Sequence, residues 1–183
     1  MKKFILLLLL TISFSVSALT TDQKVILKAA ALAEPTIADC ITGGNDVCVA
    51  EWFNESSTFI VWRNLVTQVE YQTSEAAGTT FSWSGTGGFI SRTQGERDAW
   101  RTMFQSGSVD PSKANVIAAF NDIFSGNGAG AIATRLHLLT LSKRIATNAE
   151  KALATGTGSD ASPGKLTFAG NVSVSDISGI LRD

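Results

Sequence analysis

The sequence predicts a mainly α-helical fold, a single domain of about five to seven helices with a minor β element near the C-terminus. Three observations carry this. Apolar residues recur at three- and four-residue steps along most of the chain. Helix-start signals stand before several of these stripes. Glycine, serine and threonine gather between the stripes, where turns are needed.

The elements follow in order. Met1-Lys2-Lys3 precedes an apolar run from Phe4 to Val16, and Val16-Ser17-Ala18 ends in small residues. That is the layout of a secretory signal peptide over residues 1–18. The run is shorter than the roughly 20 residues a membrane span needs. No cysteine lies near Ala18 for a lipid anchor. The spacing therefore predicts an exported chain cleaved before Leu19, with no span after cleavage. A mis-assigned start or an uncleaved N-terminal helix is the alternative. Residues 19–183 then form the domain.

Thr20 with Gln23 fits a capping box. The helix behind it carries Val25, Ile26, Ala29, Ala30, Leu32 and Ala33 as its apolar face and ends at Pro35. A short turn of helix is expected over 36–41. Asp46 can cap a helix bearing Val47, Val49, Trp52 and Phe53. Residues 57–71 read as helix from Phe59, Trp62, Leu65, Val66 and Val69, although their β-branched content also permits a strand. Residues 72–95 are irregular and glycine-rich. Thr93 with Glu96 is a second capping box, before Ala99, Trp100, Met103 and Phe104. Asp110-Pro111-Ser112 opens a helix striped by Val116, Ala119, Phe120, Ile123 and Phe124. Ser125-Gly126-Asn127-Gly128 stops it. A long helix is expected over 129–154, ended by Thr155-Gly156-Thr157-Gly158-Ser159. A strand over 165–168 and a short terminal helix, capped by Ser175 or Asp176, complete the chain.

Composition narrows the function classes. The chain has 183 residues, 15 basic and 16 acidic, with a net charge of −1. Without Lys2 and Lys3 the net charge is about −3, and no basic stripe suggests nucleic acid. Cys40 and Cys48 suit one disulfide in an exported chain, closed through the easy Gly43-Gly44-Asn45 turn. Two free buried thiols are the alternative, fitting a cytoplasmic protein. Two cysteines and one distant histidine lack the usual metal-ligand spacing, and no cofactor motif is present.

Candidate sites are few. His137 is the single histidine and needs a partner in space to act in catalysis; a packed helix histidine is the expected reading. The Thr155–Ser159 run lacks the lysine of a phosphate-cradling loop and reads as cap and turn chemistry. Glu96, Asp98, Glu150 and Asp160 could supply acid–base pairs, but Glu96 caps a helix and the others read as solvated. Arg135, Lys143, Arg144 and Lys151, spread along one expected helix, could form a weak surface for an acidic partner, but read as a solvated helix face. Trp52, Trp62 and Trp100 sit on helical stripes. Trp83, in the glycine-rich zone, is either a contact residue or the pin that holds its loop to the core.

From Leu19 onward the chain resembles a family of small proteins of tailed bacteriophages and prophages. The resembling segments are Leu19-Thr20-Thr21-Asp22-Gln23, Phe59-Ile60-Val61-Trp62-Arg63 and the run from Glu96 to Phe104. Three more are Pro111-Ser112-Lys113-Ala114-Asn115-Val116, Lys143-Arg144-Ile145-Ala146-Thr147, and Ala154-Thr155-Gly156-Thr157-Gly158-Ser159. The resemblance implies a virion structural or assembly role, through protein partners and without catalysis. The leader departs from that pattern, since phage particles assemble in the cytoplasm. An exported periplasmic or extracellular binding protein, acting at the envelope through Trp83 and its loop, is the alternative. A small hydrolase with a dispersed site is a third.

Overall fold

The computed structural model of the chain describes residues 19–182. The leader expected over residues 1–18 lies outside them. The fold is mainly α, with nine α-helices and two small two-stranded sheets among the described residues.

Two separate buried clusters organise it. The first is built from both ends of the chain. Helices α1 (Thr21–Leu32), α2 (Ala38–Thr42) and α3 (Asp46–Asn54) pack with α8 (Asn148–Leu153) and α9 (Val174–Arg182) around Leu27, Phe53, Leu153 and Ile177. The second belongs to the middle of the chain. Helices α4 (Gln68–Thr73), α5 (Gln94–Met103), α6 (Ala114–Ile123) and α7 (Ala129–Leu141) enclose Tyr71, Phe81, Trp100, Phe104, Phe120 and Phe124. Its rings meet edge-on or tilted, with Trp100 and Phe104 centroids 4.7 Å apart, an arrangement that adds to simple burial.

Strands β1 (Ser56–Trp62) and β4 (Lys143–Thr147) stand at the junction between these chain segments, pairing antiparallel with Ile60 opposite Ile145 and Trp62 opposite Lys143. Strands β2 (Val66–Thr67) and β3 (Ser108–Val109) tie the second cluster. Thr20–Gln23 and Thr93–Glu96 both form the expected capping boxes.

Several local expectations are corrected. Residues 57–71 are not one helix: β1 and β2 occupy most of the segment and only α4 is helical. Ile60 and Trp62 donate to the carbonyls of Gly158 and Gly164, and Gly164 donates back to Ile60. Tertiary pairing on both edges of β1 therefore overrides its helical spacing. The long helix over 129–154 is divided. Ser142 caps α7, β4 follows, and Thr147 with Glu150 forms a capping box that starts α8. Residues 165–168 make a single bridge, Thr155 to Lys165, instead of a strand. Finally, α1 turns Leu27 and Ala31 inward and leaves Val25 and Leu32 64 % and 63 % exposed. Gln23, which donates to the Thr167 carbonyl at 3.2 Å, helps set that rotation.

Asn45, not Asp46, caps α3 through the Cys48 N–H. Ser173 holds the first turn of α9: its Oγ accepts from the Asp176 N–H, and its own N–H and hydroxyl donate to the Asp176 carboxylate. After Asp110-Pro111 the chain makes a turn, with the Asp110 carboxylate accepting from Ser112 N–H, and α6 begins only at Ala114.

Candidate functional site

The glycine-rich segment folds into a loop over 82–92 that is fixed at many points. Phe89 N–H donates to the Ser82 carbonyl and Ile90 N–H to the Trp83 carbonyl, both at 2.9 Å. Gly85 and Gly87 take φ of 84° and 83°, which favours glycine. The loop then docks on the start of α7 by backbone contact. Gly130 N–H donates to the Thr86 carbonyl at 3.0 Å. A Cβ at Gly128 would stand 2.5 Å from the Thr86 carbonyl oxygen, and one at Gly130 2.7 Å from Gly88 N. Only glycine allows this approach.

Arginines complete the frame. Arg92 donates to the Ser125 carbonyl at 2.9 Å, just past the end of α6. Arg97 donates to the Ile90 and Arg92 carbonyls, and Arg135 to those of Phe124 and Gly126. Glu96 is held below the usual carboxylate range by the Thr93 hydroxyl and N–H, which outweigh the small opposing cost of desolvation.

On this frame Trp83 packs its ring against Phe81 and Phe89, centroids 5.1 and 5.6 Å away, yet stays 45 % exposed. Ile90, bonded to it through the backbone, is 68 % exposed. Trp83 thus anchors its loop and also presents apolar surface. Such an arrangement can bind a protein surface with little ordering cost.

The other candidates fall elsewhere. Cys40 and Cys48 form a disulfide, Cα atoms 6.0 Å apart, that joins α2 to α3. Cys48 and Trp52 line one cleft of about 270 Å3 with Glu51 and Glu55. Trp52 also lines a cleft of about 310 Å3 with Glu34, Asn148 and Lys151. Hydrogen bonds from the Thr36 hydroxyl and N–H, with a smaller pull from Lys151, hold Glu34 below the usual carboxylate range.

His137 is fully buried. Its Nε2–H donates to the Tyr71 carbonyl at 2.8 Å and its Nδ1 meets the Thr79 hydroxyl at 3.0 Å. Tyr71 O–H donates to Ser142 Oγ, which donates to the Leu138 carbonyl. Burial pushes the Tyr71 phenol up from its usual range, more than the Ser142 bond lowers it. These bonds tie α4 and the 76–79 turn to α7. A carbonyl, rather than a carboxylate, stands behind the imidazole.

Glu150 is not on a solvated face. It is 2 % exposed and takes two bonds of 2.6 Å from the Arg144 guanidinium. Thr147 and Gly170 N–H also donate to it. Burial pushes its carboxyl up, but the Arg144 and backbone hydrogen bonds outweigh that and hold it below the usual range. Asp98 bonds Gln94 and Arg101, and Asp160 pairs with Lys143. The four acidic residues are thus each bound to a separate set of partners and do not meet as a pair. Arg135, Lys143, Arg144 and Lys151 likewise do not share a helix: the second and third lie on β4, the last on α8.

Gly158 and Gly164 receive the Phe59 ring, so the Thr155–Ser159 run has a packing role beyond its turn. The loop docking escaped sequence reasoning because it pairs glycines some 40 residues apart; the recurrence of glycine at 85, 87, 88, 128 and 130 was its one signal. No protein-family model, curated protein or solved structure matches this chain.

Proposed function

We propose that this chain is a non-catalytic contact protein of the phage virion structural or assembly type, engaging protein partners through the loop over 82–92. The observation that carries the contact role is the exposure of Trp83 and Ile90 on a backbone fixed to α5, α6 and α7. Aromatic anchors in rigid settings dominate protein interfaces. The phage assignment rests on the six resembling segments. Particles banded from the native host test it: the chain is expected in the particle fraction, and Trp83→Ala is expected to remove it without unfolding it. Absence of the wild-type chain from particles overturns the assignment.

A second reading has its own observation. The Cys40–Cys48 bridge favours an oxidising compartment, and with it an exported periplasmic or extracellular binding protein acting on envelope components. Intact mass of natively expressed protein, with thiol labelling, separates the two. A chain beginning at Leu19 with oxidised cysteines supports export. A full-length chain with two reactive thiols refutes it.

A further inference from the structure

We propose that the groove between α1 and α9 binds a single-chain anionic amphiphile, a fatty-acid carboxylate. The groove holds about 310 Å3 and is lined by Thr21, Lys24, Val25, Lys28, Gly179 and Ile180. Val25, Ile180 and the butyl stems of the two lysines give it mostly apolar walls, and Gly179 adds no side chain.

The lysines are the unusual feature. Lys24 and Lys28 lie one turn apart on α1, both partly buried. Neither ammonium group makes a hydrogen bond or ion pair with a described residue, whereas those of Lys113 and Lys143 are each paired with an aspartate. Like charges four residues apart on a helix repel. No acidic side chain lines the groove. Asp176 on α9 is engaged by the Ser173 N–H and hydroxyl. Asp22 is exposed in the first turn of α1.

Because the whole chain is net negative, the attraction for an anion is local to this pair. A carboxylate head between the two ammonium groups removes their repulsion. An alkyl tail then covers the apolar track beside them. Val25 and Leu32, seven residues apart and therefore on one side of α1, continue that track and are largely exposed. Head and tail together satisfy two features that α1 leaves open, its unpaired cations and its outward apolar face.

The test is calorimetric titration of the full chain with decanoate below its micelle concentration. Comparators are 1-decanol, decyltrimethylammonium and vesicles containing anionic phospholipid. Decanoate is expected to bind one per chain, at least tenfold tighter than decanol, with the ammonium amphiphile not binding. Lys24→Gln/Lys28→Gln is expected to weaken decanoate about tenfold at unchanged melting temperature, and Lys24→Arg/Lys28→Arg to restore it. Equal affinity for decanoate and decanol, indifference to the double glutamine substitution, or binding to vesicles alone overturns the proposal.

Discussion

Replacing Glu150 with glutamine removes one charge from a buried site with four donors. One carboxylate oxygen accepts from Arg144 Nη1 and Thr147 N–H, the other from Arg144 Nη2 and Gly170 N–H. Whichever oxygen becomes an amide nitrogen, one guanidinium bond and one backbone bond are lost. A hydrogen bond to a charged group is worth about 1.5–3 kcal/mol, and a buried donor left unpaired costs about 1–3 kcal/mol. Arg144 is partly exposed and can turn toward water, so the lower half of the summed range applies. We expect Glu150→Gln to lose about 3–4 kcal/mol at pH 7 and roughly 10 °C in Tm. Urea and thermal unfolding, followed by circular dichroism, measure it. The pH dependence has a definite sign. The folded carboxyl is held below its unfolded range, so its contribution is present above the unfolded pKa and lost as pH falls through the folded one. The gap between wild type and variant must therefore narrow on acidification. A gap below 1 kcal/mol at pH 7, or one that widens in acid, refutes the reasoning.

Four further outcomes are expected. Cys40→Ser/Cys48→Ser should lose about 2.5 kcal/mol from loop-closure entropy for a separation of 8 residues; reductant should bring the wild type to the same level, and equal stability of all three counts against a formed bridge. Gly158→Ala should cost about 3 kcal/mol, since its φ is +66° and the new methyl falls within the Phe59 ring, whereas Gly95→Ala, with open space in α5, should gain about 0.5–1 kcal/mol by the same unfolding assay. Ala77→Gly should gain about 0.5 kcal/mol by relieving a φ of 47°; a measurable loss there shows that the turn is not strained.

What was legible in the sequence was local chemistry. The Thr20–Gln23 and Thr93–Glu96 boxes place helix starts because their hydrogen bonds close within four residues. The start of α7 at Ala129 follows from its glycine stop. A third box, Thr147-Asn148-Ala149-Glu150, was equally visible and divides the expected long helix; its apolar stripe masked it. What was not legible depends on partners distant in sequence. The extended form of β1 comes from β4 and the 158–164 run, some 80 to 105 residues later. The rotation of α1 is fixed by contacts with α8, α9 and Thr167. For the candidate site, Trp83 was identifiable from its glycine-rich surroundings. The frame that holds it depends on glycines near residue 130, which periodicity does not register.

The division of the buried residues has a consequence for the order in which the protein assembles. Synthesis delivers the chain from its N-terminus. Every part of the aromatic cluster, from Val66 to Leu141, exists before α8 and α9 are made. The cluster built on α1 and α3 must wait for Phe168, Ile177 and Ile180 near the other end. The middle of the protein can therefore consolidate first, while the opening helices remain exposed until the final residues arrive. A nascent chain stalled after Leu141 would carry a finished aromatic core and an unfinished beginning.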